Sequence, residues 1–283
     1  MSTPRFPIRQ VGFRSGLAWL PASAEWMRRG FRPLLAIAGL WLGVSMVALL
    51  PLVGQAILAL ITPLLSAGVM LAFDRLGERQ LPPPATLFSA WNDPLRRSRL
   101  LMLGVFGMFG GLAAAVVLVT WLSNQIGADR LEAAVQSPEA MAEALAGASL
   151  GGGLLLSGAV MLLVLAALYF AVPLVMFGRA QVIPALSASL RAVVSNWAAF
   201  AGFALAAFGV VFGLFIIVLL VSSVLTLALG TPGGFLVQLI ILVTVMLFQV
   251  LMTGAQYLAF SQIFGWSPGL EQDQRDDGTD LTL

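Results

Sequence analysis

Residues 198–229 read AAFAGFALAAFGVVFGLFIIVLLVSSVLTLAL and contain no charged residue. A helix needs about 20 apolar residues to cross the hydrocarbon core of a bilayer, so this stretch can cross a membrane and must tilt or fray to fit. Five further apolar runs lie at residues 34–50, 52–73, 100–122, 154–177 and 235–260. The sequence therefore predicts an all-α, polytopic transmembrane helical bundle of about six spans.

The composition of the chain agrees with a membrane protein. Of the 283 residues, 59% are hydrophobic and 10% are charged, whereas about a quarter of the residues in an ordinary soluble domain are charged. Too few charged side chains are present to cover a water-soluble surface. The chain also has no His and no Cys, which excludes imidazole catalysis, thiolate chemistry and the usual zinc or haem ligands. We expect no cofactor and no metal.

Short amphipathic segments precede three of the apolar runs. Near the amino terminus, Trp19, Trp26 and Phe31 are spaced among arginines, a pattern typical of a helix at the membrane interface with its aromatic rings at headgroup depth. Similar segments end at residues 88–91 and 190–197. Three hairpins that each open with a surface helix would produce this repetition. The alternative explanation is the general attraction of Trp and Arg to any interface.

These patterns divide the chain into three segments. Residues 1–33 are expected to form a cytoplasmic interfacial segment, and residues 34–260 a six-helix transmembrane domain. Residues 261–283, acidic and with few apolar side chains after residue 270, are expected to form a disordered cytoplasmic tail. In the acidic loop between the third and fourth runs, Ser137 before Pro138 predicts the start of a short helix.

The arginines predict the orientation of the spans. Cytoplasmic loops of membrane proteins are enriched in positive charge. With six spans and a cytoplasmic amino terminus, only Arg130 lies outside. The other arginines, all on the cytoplasmic side, are Arg5, Arg9, Arg14, Arg28, Arg29, Arg32, Arg75, Arg79, Arg96, Arg97, Arg99, Arg179, Arg191 and Arg275. Both termini are therefore predicted to be cytoplasmic.

Neutral polar residues are the candidates for function inside the membrane. The six runs carry no charged residue between their ends, which argues against proton pumping, intramembrane proteolysis and enzymatic activity in general. In the sixth run a polar stripe shares one helix face, formed by Gln238, Gln249, Thr253 and Gln256. Interhelical hydrogen bonding is the simpler explanation for this stripe. The sharper hypothesis is a polar lining for a neutral or amphiphilic substrate.

Arginines at the ends of the runs are candidates for contacts with anionic lipid headgroups. This set consists of Arg28, Arg29, Arg32, Arg96, Arg97, Arg99 and Arg191. A nucleic-acid partner is not expected, because the arginines border apolar runs and form no basic stripe with exposed aromatics. Asp74 and Glu78 have the spacing of a metal-binding pair on a helix, but Arg75 and Arg79 beside them favour solvated ion pairs.

Three stretches resemble an uncharacterised family of polytopic bacterial inner-membrane proteins. They are residues 16–41, residues 63–73 (PLLSAGVMLAF) and residues 172–197 (VPLVMFGRAQVIPALSASLRAVVSNW), and the most specific element is Pro-Ala-Leu-x-x-Ser-x-Arg at residues 184–191. The chain is more loosely similar to the membrane domain of some glycerophosphodiester phosphodiesterases, and no catalytic domain accompanies it. The resemblance implies the topology and a bacterial inner membrane, and it implies no substrate.

Two functional hypotheses follow from the sequence. The first is a non-enzymatic structural or regulatory protein that interacts with lipids or a membrane-protein partner through its interfacial helices, with anionic lipid as its expected surroundings. The alternative is a permease for a neutral or lipid-like solute.

Overall fold

The computed structural model describes residues 6–51, 53–127, 130, 137, 139–140 and 149–267, and within them every regular element is helical. The first half of the chain contains α1 (Phe13–Arg29), α2 (Phe31–Ser45), which continues as a 3₁₀ turn (Met46–Leu49), α3 (Val53–Gly77), a 3₁₀ linker helix (Pro84–Trp91) and α4 (Pro94–Ile126). The second half contains α5 (Leu150–Tyr169), α6 (Ala171–Met176), α7 (Val182–Ser195), α8 (Trp197–Leu229) and α9 (Thr231–Phe264).

Six helical segments are long and apolar enough to cross a membrane, which confirms the predicted all-α bundle. They pair in sequence as three hairpins: α2 with α3, α4 with α5–α6, and α8 with α9. Helix α9 continues to Phe264, past residue 261, where the tail was predicted to start. The rest of the tail, from residue 268, and most of the acidic loop helix predicted after Ser137 lie outside the described residues. At that helix start, the amide of Ala140 donates to the hydroxyl of Ser137 over 3.1 Å.

Each hairpin is preceded by a surface helix, and each surface helix packs on a different hairpin from the one it introduces. Helix α1 packs on the third hairpin, the linker helix packs on the first, and α7 packs on the second. The linker helix and α7 therefore each cross the hairpin that precedes them in sequence, and α1 crosses the last hairpin. The three units close into a ring because α1 joins the last hairpin to the start of the chain.

Two of these crossings bring one backbone directly against another. A β-carbon at Gly16 of α1 would overlap the carbonyl of Ala199 in α8, and one at Gly202 would overlap the carbonyl of Phe13. At the second crossing, a β-carbon at Gly68 of α3 would overlap the carbonyl of Leu87 in the linker helix. Only glycine fits where helices approach so closely.

The third crossing is built from a hydrogen-bonded break between α5 and α6. The hydroxyl of Ser189, on α7, accepts from the amide of Phe170 over 2.8 Å and donates to the carbonyl of Ala166 over 2.7 Å. It thus inserts into a bond that a continuous helix would make between Phe170 and Ala166. Pro173, which has no N–H, adds to the break, and the helix is divided between Tyr169 and Ala171.

The buried core lies at the end of the bundle where the surface helices cross, which we call the arginine-rich end because the arginines of α1, α3, α4 and α7 gather there. Trp19, on α1, is only 1% exposed and packs against Phe200 and Phe203. Helix α1 thus turns this ring into the bundle, so Trp19 contacts other aromatic side chains and is shielded from lipid. Phe31 is exposed, as expected.

The crossing of α1 over α8 generates a prediction for Gly16→Ala. The added methyl group has no space against the Ala199 carbonyl, and overpacking of this kind costs about 1–3 kcal/mol. We expect the thermal midpoint in detergent to fall by about 3–10 °C. Gly39→Ala is the matched control, because a β-carbon there meets no atom within 4 Å. A midpoint at or above that of the wild type in Gly16→Ala would contradict this packing.

Candidate functional site

The predicted polar stripe lies along α9, but its four members have different surroundings. Gln238 is exposed on the outer surface, Gln249 is half-buried, and Thr253 is buried and donates to the carbonyl of Gln249 over 2.9 Å. Gln256 donates to the carbonyl of Tyr169. The stripe is thus a row of polar groups with separate hydrogen-bond partners and different exposure.

Gln256 bonds to the carbonyl of Tyr169 because a proline lies four residues after Tyr169. In a helix, the carbonyl of Tyr169 would accept from the amide of residue 173, which is a proline. Gln256 supplies the donor that Pro173 lacks. An unsatisfied carbonyl is costly where no water can reach it, so Gln256 stabilises the break between α5 and α6.

The arginines predicted to contact headgroups separate into two groups. Five are exposed and accessible to headgroups, namely Arg28, Arg29, Arg32, Arg97 and Arg191. Arg96 is only 8% exposed and lies 3.4 Å from a carboxylate oxygen of Asp93, so it is largely shielded from the surface of the bundle. Arg99 is half-buried and donates to the backbone carbonyls of Arg179 and Ala180 just beyond the end of α6. A cation there is favoured by the negative end of a helix.

Asp74 is the centre of a buried polar cluster that the sequence did not predict. Its carboxylate is 7% exposed and accepts from the Tyr257 hydroxyl over 2.6 Å and from the Trp266 indole N–H over 3.1 Å. The side chain of Asp74 is therefore buried and not solvated as expected, because α3 turns it toward α9. The cluster ties the end of α3 to the end of α9. Groups of three or more metal-ligating side chains are absent from the described residues.

Two further carboxylates at the arginine-rich end have shifted pKa values. Partial desolvation, followed by the negative charge of Asp74, raises the pKa of Glu78, and the positive charge of Arg75 opposes the shift. Glu25, on the surface of α1, shows the opposite shift. Hydrogen bonds from Arg28 and then Arg29 lower its pKa, with N–O distances of 2.8 and 3.2 Å.

A groove of about 670 Å³ runs between the first and second hairpins. Its walls are faces of α3 and α4, and Leu168 of α5 contributes to its lining. Its rim includes the exposed side chains of Phe109 and Leu112, so the groove opens on the outer surface of the bundle. Gly107 and Gly111 of α4 deepen it, because they present no side chain.

The wall contributed by α3 is partly polar. It includes Gln55, which is exposed, and Thr62, which donates to the carbonyl of Leu58 over 2.6 Å. Pro63 has no N–H for the carbonyl of Ala59, and both residues line the groove. The groove therefore combines an apolar surface with neutral hydrogen-bonding groups, which suits an amphiphilic molecule better than a hydrocarbon alone.

A second concave site, which we call the arginine pocket, lies at the arginine-rich end. It has a volume of about 230 Å³ and is lined by Trp26, Arg29, Leu76, Gly77 and Arg79. Two of these residues carry guanidinium groups, and they come from different elements, since Arg29 ends α1 and Arg79 follows α3. The pocket is therefore electropositive and small.

Arg79 has an unusual backbone conformation. Its φ is +62°, and it follows α3 at the position where a left-handed residue ends the helix, with the amide of Arg79 bonded to the carbonyl of Leu76 and that of Gln80 to the carbonyl of Arg75. Glycine is the usual residue at this position of such a helix end. A side chain in this conformation costs about 1–2 kcal/mol.

Comparisons of this chain with protein-family models, with curated proteins and with solved structures find no match. The functional proposals therefore rest on the geometry of the groove and of the arginine pocket.

The hydrogen bonds of Asp74 predict that two Tyr→Phe substitutions have different effects on the free energy of unfolding. Tyr257→Phe removes a hydrogen bond to a buried carboxylate, so we expect a loss of about 1.5–3 kcal/mol in the free energy of unfolding. Tyr169→Phe is the matched control, because the buried hydroxyl of Tyr169 has no hydrogen-bond partner among the described residues. Reversible unfolding in mixed micelles measures both. Equal losses in the two variants would show that the bond to Asp74 contributes nothing specific.

The pKa shift of Glu78 predicts how its removal changes stability with pH. A group with a raised pKa contributes stability below its ordinary pKa of 4.5, and this contribution is lost as pH rises through the pKa of the folded state. The difference in thermal midpoint between Glu78→Gln and the wild type should therefore be more positive at pH 7 than at pH 4. Glu25→Gln should show the opposite sign, because the pKa of Glu25 is lowered. Parallel pH profiles for the two variants would refute the assignment.

Proposed function

We propose that this chain is a non-enzymatic, multi-pass protein of the bacterial inner membrane that holds a membrane lipid in the groove between α3 and α4. The proposal has both termini in the cytoplasm, and the gathering of arginines at one end of the bundle supports this orientation. The observation that carries the proposal is the groove itself, which opens on the surface that six apolar helices present to a bilayer.

The groove has the features that a lipid chain requires. Its apolar lining faces outward between two hairpins, so a lipid can enter sideways from the bilayer without crossing a polar barrier. Packing against a preformed concave surface gives a lipid more contacts than it has among mobile neighbours. The glycines of α4 provide the depth for this packing.

The polar groups that α3 contributes to the groove are the reason for proposing an amphiphilic ligand. Gln55 lies within the first turn of α3, and the carbonyl of Ala59 follows one turn later. An ester or hydroxyl group of a lipid can exchange hydrogen bonds with such neutral groups. A charged catalytic group is absent from the described lining of the groove, which is why the proposal is binding rather than chemistry.

The proposal predicts that Gly111→Leu removes bound lipid. A β-carbon at Gly111 is 3.9 Å from Cε of Met161, so the leucine side chain can fill the groove without displacing backbone. We expect the amount of phospholipid that co-purifies in mild detergent, measured by native mass spectrometry, to fall about tenfold, which corresponds to about 1.4 kcal/mol of binding.

Gly158→Leu is the matched control for this experiment. Gly158 is exposed on α5, and a β-carbon there meets no atom within 4 Å, while the residue takes no part in lining the groove. This variant should retain lipid at the level of the wild type. Retention of lipid by Gly111→Leu, or an equal loss in both variants, would show that the lipid binds elsewhere.

A further inference from the structure

The arginine pocket is separate from the groove and has a different chemistry. Its lining includes two arginines, Arg29 and Arg79, and the aromatic residue Trp26. Guanidinium groups match the oxygens of phosphate, to which they can donate two parallel hydrogen bonds. Its volume of about 230 Å³ lies below the range of about 300–1,000 Å³ for pockets that hold drug-sized ligands. The pocket therefore suits a headgroup-sized anion.

The charges around the pocket leave it positive. At the ends of α1 and α3 and the start of α2 there are five arginines, Arg28, Arg29, Arg32, Arg75 and Arg79, and three carboxylates, Glu25, Asp74 and Glu78, a net charge of +2. Glu25 is already engaged by Arg28 and Arg29, and Asp74 is turned inward to Tyr257 and Trp266. This balance matches a phosphomonoester, whose charge is about −1.5 to −2 at neutral pH.

The backbone of Arg79 has a left-handed conformation that residues with a side chain rarely adopt. Its left-handed conformation is one that glycine adopts without strain. Arginine at this position places a guanidinium group beside the pocket at a cost to stability. Strain retained at a ligand-sized site is typical of binding residues.

From this geometry, we propose that the arginine pocket binds a phosphomonoester group between Arg29 and Arg79, against the ring of Trp26. The phosphate belongs either to the headgroup of an anionic lipid or to a soluble phosphorylated molecule. The two sources share the same recognition chemistry. The proposal does not depend on lipid in the groove, because Gly111 and the arginine pocket lie on different elements.

The test is a thermal titration of the purified full chain in a neutral detergent, with stabilisation as the measure of binding. The probes are inorganic phosphate, for a soluble source, and dioctanoyl phosphatidic acid, for a lipid source. Dioctanoyl phosphatidylcholine, a zwitterionic phosphodiester with no net charge, is the reference. We expect Arg29→Gln and Arg79→Gly each to weaken binding about tenfold, the loss of one charge-assisted contact. Arg97→Gln, which removes an exposed arginine outside the pocket, should bind like the wild type.

Arg79→Gly also separates binding from folding. Without ligand it should unfold a few degrees above the wild type, because glycine relieves the left-handed backbone, and yet bind the probe more weakly. Arg79→Gln should lose the same affinity without the gain in midpoint. Binding of phosphate alone assigns a soluble ligand, and binding only of phosphatidic acid assigns a lipid headgroup. The proposal is overturned if the wild type binds neither probe, if Arg79→Gly binds as the wild type does, or if Arg97→Gln loses as much affinity.

Discussion

Backbone contact between a surface helix and the preceding hairpin orders the whole bundle. At Gly16 and Gly202 the contact joins α1 to α8, and at Gly68 it joins the linker helix to α3. The third crossing uses Ser189, whose hydroxyl replaces a helical hydrogen bond of α5. These crossings concentrate the buried core at the arginine-rich end. Much of the opposite half of the long helices exposes apolar side chains, as a surface in contact with lipid does.

The number and positions of the spans could be predicted from the sequence because each apolar run is long and lacks charge. The position of the surface helices along the chain was also predictable, but their packing was not. A segment with aromatic residues and arginines, such as the one around Trp19, is compatible both with a membrane surface and with a helix bundle. Its buried side depends on the contact with Phe200 and Phe203, which lie some 180 residues further along the chain.

The polar groups of the site show a similar division. One hydrogen bond could have been predicted from the sequence. Pro173 leaves the carbonyl of Tyr169 without its helical donor, and a glutamine in another apolar run can supply one. Asp74 was missed because its neighbours in sequence, Arg75 and Glu78, suggest a solvated turn. The carboxylate points inward because it bonds to Tyr257 and Trp266. These partners lie far from Asp74 in sequence, so the local pattern around Asp74 does not reveal the contact.

The cyclic order of the ring has a consequence for biosynthesis. The amide of Val11 donates to the Asn196 side chain, 185 residues away, and the Trp19 indole donates to Gln262, 243 residues away. Helix α1 is therefore translated well before either partner leaves the ribosome. Contacts of such long range form late, so the Trp19 ring can reach its buried position only after the third hairpin has been made. Assembly of this bundle therefore ends with the docking of its first helix.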